Sequence, residues 1–116
     1  MLYFGSWDGH FYCVQSNDST PVWNYSTSLC PVGPKHADWV PHSCPIASNP
    51  AMDANSTFVL FGADDYKLHA LDPATGAFLW VYPTLGFVRA APTLAFGDNL
   101  ALVGSFDGRL HAVFTR

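Results

Sequence analysis

Apolar residues come in short runs along this chain, each closed by a cluster of Gly, Pro, Asn or Asp, a rhythm that predicts strands and turns. Segment 92–96 reads as a short first strand, and Gly97-Asp98-Asn99 turns the chain. Segment 100–105 is an apolar run fit for a buried strand. Asp107-Gly108, matched by Asp8-Gly9, is a two-residue hairpin signal, because both turn positions tolerate positive φ. Segment 109–114 then returns as the third strand. Near the middle, Asp72-Pro73-Ala74-Thr75-Gly76 is a turn cluster and 78–82 supplies a fourth strand.

The pattern repeats. Segments 5–15, 62–72 and 104–114 align, with Asp8, Asp65 and Asp107 in register, and likewise Cys13, Ala70 and Ala112. Leu68-His69-Ala70 recurs unchanged as Leu110-His111-Ala112. Gly5 to Trp23 spans 18 positions, as does Gly62 to Trp80. The period is 42 from Gly62 to Gly104 but 57 from Gly5 to Gly62, so 15 residues are inserted. Taking Pro45 as the counterpart of Pro92 places ten of them around 29–42 and five around 49–55. Four antiparallel strands in about 40 residues match one blade of a β-propeller. The expected architecture is all-β, with antiparallel four-stranded β-propeller blades: one complete blade flanked by two partial ones. Repeat 1 covers about 1–26, an insertion loop 29–43, repeat 2 about 44–83 and repeat 3 about 90–116.

The stretch from Ala70 to Trp80, with Asp72, Thr75 and Gly76 between them, resembles the tryptophan-docking motif of the pyrroloquinoline-quinone-type (PQQ-like) propeller repeat. The first copy departs from it, with Gln15-Ser16-Asn17-Asp18-Ser19-Thr20-Pro21 in place of the turn, and keeps only Trp23. The physics of the motif stands apart from the name. A tryptophan at the end of an outer strand fills the gap between sheets, and its indole N–H needs a partner that a neighbouring turn can supply. Small residues at Cys13, Ala70 and Ala112 suit close approach of packed sheets. A blade buries its faces only against neighbours, so the expected partners are remaining blades of the same propeller. The chain is accordingly expected to be a fragment of a larger repeat protein.

Composition narrows the function. The chain has 116 residues, nine Asp, no Glu, and a net charge of −4, which argues against a nucleic-acid partner. No apolar run reaches the roughly 20 residues of a membrane span. Cys13 reads as a small core residue, while Cys30 and Cys44 flank the longer insertion and either form a loop disulfide or stay unpaired thiols. The same stretch holds His36, Asp38 and His42, but without a Cys-x-x-Cys knuckle it makes a poor zinc site. Asn17, Asn24 and Asn55 open glycosylation acceptor patterns, which with the cysteines point to an extracytoplasmic compartment.

Signatures of catalysis are missing from the sequence. Asp64-Asp65 reads as a solvated turn pair, and His69 and His111, which replace Tyr12 of the first copy, read as semi-exposed strand positions. Two functions remain. One is a non-catalytic scaffold or protein-interaction module, as in the outer-membrane assembly lipoprotein and the lumenal domains of stress-sensing kinases that share such propellers. The other, implied by the resemblance alone, is part of a quinoprotein dehydrogenase that would hold pyrroloquinoline quinone and Ca²⁺ and oxidise alcohols or sugars.

Overall fold

A computed structural model describes residues 1–27 and 44–115. All ten elements in them are strands: β1 (Leu2–Gly5), β2 (His10–Val14), β3 (Pro21–Ser26), β4 (Ala51–Met52), β5 (Val59–Gly62), β6 (Lys67–Leu71), β7 (Phe78–Pro83), β8 (Thr93–Ala95), β9 (Leu100–Gly104) and β10 (Leu110–Phe114). Each pairs antiparallel with its sequence neighbour, giving three sheets. β1-β2-β3 forms blade 1, β4-β5-β6-β7 blade 2 and β8-β9-β10 blade 3. The fold is therefore all-β, built from propeller-type blades.

Blade 2 is covered on both sides. β5 and most of β6 are buried at every position, because odd and even residues of a strand face opposite sheets. Val59, Phe61 and Leu71 meet Phe11, Trp23 and Tyr25 of blade 1. On the other side, Leu60, Leu68 and Ala70 meet Ala101, Val103 and Val113 of blade 3. Phe11 and Phe61 lie ring on ring, with centroids 4.2 Å apart.

The hairpins differ from the two-residue turns that Asp-Gly suggests. Each loop has three residues, and only the last takes positive φ: Gly9 (88°), Tyr66 (74°) and Gly108 (85°). The residue before the loop accepts from its third amide, Gly9 to Ser6 and Gly108 to Ser105. This is the three-residue hairpin with a left-handed closing position. The aspartate ahead of that position caps the amide two residues on: Asp8 for His10, Asp65 for Lys67 and Asp107 for Arg109.

Register also relocates the insertion. Ala51 pairs with Leu60 as Thr93 pairs with Leu102, so Pro50 and not Pro45 is the counterpart of Pro92. No extra residues lie at 49–55. Thr27 donates to the Gly9 and Cys44 carbonyls just as Thr84 donates to those of Tyr66 and Gly86. From Thr27 to Cys44 is 17 positions, against two from Thr84 to Gly86. All fifteen added residues therefore fall between Thr27 and Cys44. Two prolines at different places in similar loops misled the spacing.

A strap between blades repeats in the same register. The Ile46 amide donates to the Ser6 carbonyl, and the Pro45 carbonyl accepts from Asp64 of the next blade. Val88 and Phe87 do the same for Ala63 and Phe106. Each strap side chain lies over a glycine. A Cβ on Gly5 would come within 2.2 Å of Ile46, and one on Gly62 within 2.4 Å of the Val88 carbonyl. Gly104, at the same repeat position in blade 3, has open space, its nearest neighbour 3.9 Å away.

At the far end of the blades, the Asp53 carboxylate accepts from the Thr57 hydroxyl and from the amides of Thr57 and Phe58. Burial alone would raise its pKa, but these hydrogen bonds hold it below the ordinary carboxylate value. The Ala54 amide of the same turn donates to Asp98 of blade 3.

Two predictions follow from this packing. Gly62→Ala should cost about 3 kcal/mol in denaturant unfolding, while Gly104→Ala stays near neutral; equal effects would contradict the strap geometry. Because the folded pKa of Asp53 is depressed, its contribution is present above the unfolded value near 4 and lost as pH falls through the folded one. Asp53→Asn should lower stability at pH 7 and flatten the acid limb of a stability–pH curve.

Candidate functional site

The outer strands of blades 1 and 2 carry the two motif tryptophans, each paired across the sheet with a small residue, Trp23 with Cys13 and Trp80 with Ala70. Both strands shift register just beyond that pair, which turns the large side chain towards the neighbouring blade. The Trp23 indole N–H donates to the Pro73 carbonyl of blade 2 at 2.9 Å. Gly76, at φ 75°, lies under the same ring, where an added Cβ would sit 2.6 Å from an indole carbon. Asp72 and Thr75 brace this turn by capping the amides of Ala74 and Ala77. Trp80 packs in the core between blades 2 and 3.

The departing turn of blade 1 keeps the same backbone. Gln15 N–H donates to Thr20 and Ser19 N–H to Gln15, as Asp72 does to Ala77 and Gly76 to Asp72. Asp18 caps Thr20 in the role of Thr75, and Ser19 takes the left-handed position at φ 61°. Asp and Ser tolerate these local conformations well enough to replace Thr and Gly.

Between the blades lies a polar network that the strand pattern misjudges. His69 is fully buried, not semi-exposed. Its Nε2 meets Asp65 at 2.8 Å and its Nδ1 the Tyr25 hydroxyl of blade 1 at 3.2 Å. His111 repeats this with Asp107 at 3.0 Å and Tyr82 of blade 2 at 3.1 Å. Burial and the Asp65 charge raise the Tyr25 pKa, keeping it a neutral partner for the imidazole. Tyr25 and Tyr82 each stand two residues after a motif tryptophan, a signal available in the sequence. Asp64 and Asp65 are likewise buried rather than solvated, because each is paired.

Asp64 belongs to a second cluster, at the end of the blades where the hairpins turn. Arg89, from the segment joining blades 2 and 3, grips Asp64 with Nε at 2.9 Å and Nη2 at 2.7 Å. Its guanidinium carbon lies 4.6 Å from the Phe87 ring centroid, 5.5 Å from that of Phe106 and 5.9 Å from that of Trp7. Trp7, Asp64 and Phe106 occupy one repeat position in three successive blades, so a single arginine ties three hairpin tips together. Trp7 and Phe106 nonetheless remain about two-thirds exposed, and Leu85 beside them more so. The backbone under them is pinned: Phe106 N–H donates to Phe87, Leu85 N–H to Asp107, and Thr84 bonds Ser105. The surface is apolar, with the Arg89 charge matched by Asp64.

The remaining candidates are dispersed. Cys44 is disulfide-bonded and Cys13 is a buried free thiol, while Cys30, His36, Asp38 and His42 lie outside the described residues. Asn17 is exposed on the Gln15–Thr20 turn, Asn24 is exposed in β3, and Asn55 is exposed in the β4–β5 loop. No three His, Cys, Asp or Glu side chains converge as a metal site among the described residues. No helix in the described part is long and apolar enough to cross a membrane.

Stacked antiparallel blades with a repeated strap and docking turn define a β-propeller-type repeat protein. Among solved structures the chain is similar to BamB from Moraxella catarrhalis, at 26% identity and a TM-score of 0.65 over 92% of its own length. It spans 28% of that protein's chain. No family model and no curated protein matches the sequence.

Tyr25→Phe should leave the buried Nδ1 of His69 unpaired and cost roughly 2 kcal/mol. Tyr82→Phe should cost less, since His111 is not fully buried. Thermal unfolding of both variants checks the order.

Proposed function

We propose that this chain is part of a non-catalytic β-propeller scaffold that binds protein segments at the hairpin end around Arg89. The observation that carries this reading is the exposure of Trp7, Leu85 and Phe106 together on a pinned backbone. Exposed large apolar groups held rigid lose little entropy on binding, which is what an interaction surface requires. Aromatic and arginine side chains are also the types that carry most energy at protein interfaces. The similarity to BamB supports a propeller scaffold in general terms. The remaining blades of the same propeller are its other proposed partners.

We place the protein in an extracytoplasmic space. The disulfide at Cys44 supports this, since such bonds persist in oxidising compartments, and Cys30 is its proposed partner. Asn17, Asn24 and Asn55 are proposed glycan acceptors where the compartment provides the machinery.

The test is selection of a random peptide library on the immobilised chain. Enriched peptides should lose at least about tenfold in affinity on a Trp7→Ser, Phe106→Ser double variant, as expected for two anchor residues. They should bind a Phe114→Ser variant unchanged. No enrichment, or binding indifferent to Trp7 and Phe106, would overturn the reading.

A further inference from the structure

One junction departs from the pattern of its own repeat. The residue that closes the hairpin is glycine in blades 1 and 3, Gly9 and Gly108, but Tyr66 in blade 2, at φ 74°. A bulky side chain is strained in this left-handed conformation, and the turn itself needs only a glycine. The strain is held in place, since the Tyr66 carbonyl accepts from the Thr84 amide at 2.7 Å and its hydroxyl at 2.9 Å. Two further departures face it. Phe87 stands where the first strap has Pro45, and Phe106 where blade 2 has Asp64. Tyr66 meets Phe87 edge to face at 5.7 Å between centroids, and Phe87 meets Phe106 at 5.9 Å.

Together with Leu85 and Gly86, these three rings line a cleft of about 230 Å³. A cavity of about 150 Å³ holds a benzene ring, so there is room for one large apolar side chain. Gly86 lets the blade 3 hairpin come this close, since an added Cβ would sit 2.5 Å from the Asp107 amide nitrogen. A strap does not cover this tip position. Trp7, the counterpart of Phe106 in blade 1, has its strap in place, with the Ile46 amide on the Ser6 carbonyl, and is still 68% exposed.

The charges beside the cleft are unequal in their exposure. Asp64 is buried against Arg89, and Asp107 spends its carboxylate on His111 and the amides of Leu85 and Arg109. Arg109 is exposed and forms no ion pair among the described residues. It opposes Ser105 at the mouth of the hairpin, so the two side chains share one face of the sheet. On that face Ser105 reaches Thr84 and the Gly86 carbonyl, which puts Arg109 beside the cleft.

We propose that the cleft between Tyr66 and Phe106 is an anchor pocket for a peptide segment that carries one aromatic or large aliphatic side chain with an Asp or Glu beside it. The apolar side chain fills the cleft, and the carboxylate meets Arg109. This rests on the hairpin end being a binding surface, and adds to it the class of segment that is bound.

The experiment takes individual peptides enriched from a random library on the immobilised chain and titrates them against Tyr66→Gly and Arg109→Ser variants. The enriched peptides should share a Phe, Tyr, Trp or Leu within two residues of an Asp or Glu. Tyr66→Gly should weaken them at least about tenfold, as expected for loss of a pocket wall. It should melt no lower than the unmodified chain, because Gly9 and Gly108 already serve this position. Tyr66→Asn, which also tolerates the left-handed backbone, should bind as poorly as Tyr66→Gly. Arg109→Ser should weaken binding about threefold at low salt and leave it unchanged at high salt. Peptides that lose affinity on the Trp7→Ser, Phe106→Ser variant but not on Tyr66→Gly would overturn the pocket and leave the binding surface standing. Enriched peptides without acidic residues, or an Arg109→Ser effect that ignores salt, would overturn the acidic ligand. A library that yields no binder ends both the surface and the pocket.

Discussion

A sheet that is apolar on both faces cannot stand alone, and that constraint governs everything in this molecule. Blade 2 buries Val59, Phe61 and Leu71 on one side and Leu60, Leu68 and Ala70 on the other. Close approach is needed to bury them, and it is reached by removing side chains where straps cross. Gly5 and Gly62 leave room for Ile46 and Val88, and the straps that carry them, Pro45-Ile46 and Phe87-Val88, bond the blade on either side. The tryptophan, the docking turn and the strap act together, closing the gap between sheets at its outer edge and at its end.

Polar groups enter the interfaces under the same constraint. An imidazole as deeply buried as His69 is tolerated only because both nitrogens are matched, one within its own blade and one across the gap. The network therefore carries alignment as well as energy: the tyrosine of one blade must meet the histidine of the next. Its recurrence at His111 shows that this is a property of the repeat and not of one site. Asp64 and Arg89 follow a different course, spending a charged pair to hold three hairpin tips in place. That leaves the aromatic side chains of the tips facing outward on a stiff base.

Much of this was legible along the chain. Strand rhythm, turn clusters and the register of Asp8, Asp65 and Asp107 predict three sheets of antiparallel strands, and the sheets are there. Boundaries shifted by a residue or so: Thr93–Ala95 leaves out Pro92 and Phe96, and Leu110–Phe114 begins one residue after Arg109. The insertion was misplaced because proline spacing is a weaker ruler than hydrogen-bond register. The candidate surface was not legible at all. Trp7 and Phe106 share a repeat position with the unlike Asp64, and Arg89 lies in a linker, so no motif joins them.

The sequence by itself determined the repeat, its period, and the alternation that makes each strand two-faced, since these are local properties of side-chain order. Tertiary structure alone decided which polar residues are buried. Asp64, Asp65 and His69 look like surface residues until the segment joining blades 2 and 3 brings Arg89 to Asp64 and blade 1 brings Tyr25 to His69. It also decided that Ser19 could copy the backbone of Gly76 but not its emptiness. Burial and pairing depend on what lies across a gap, and the order of residues along one strand does not contain that.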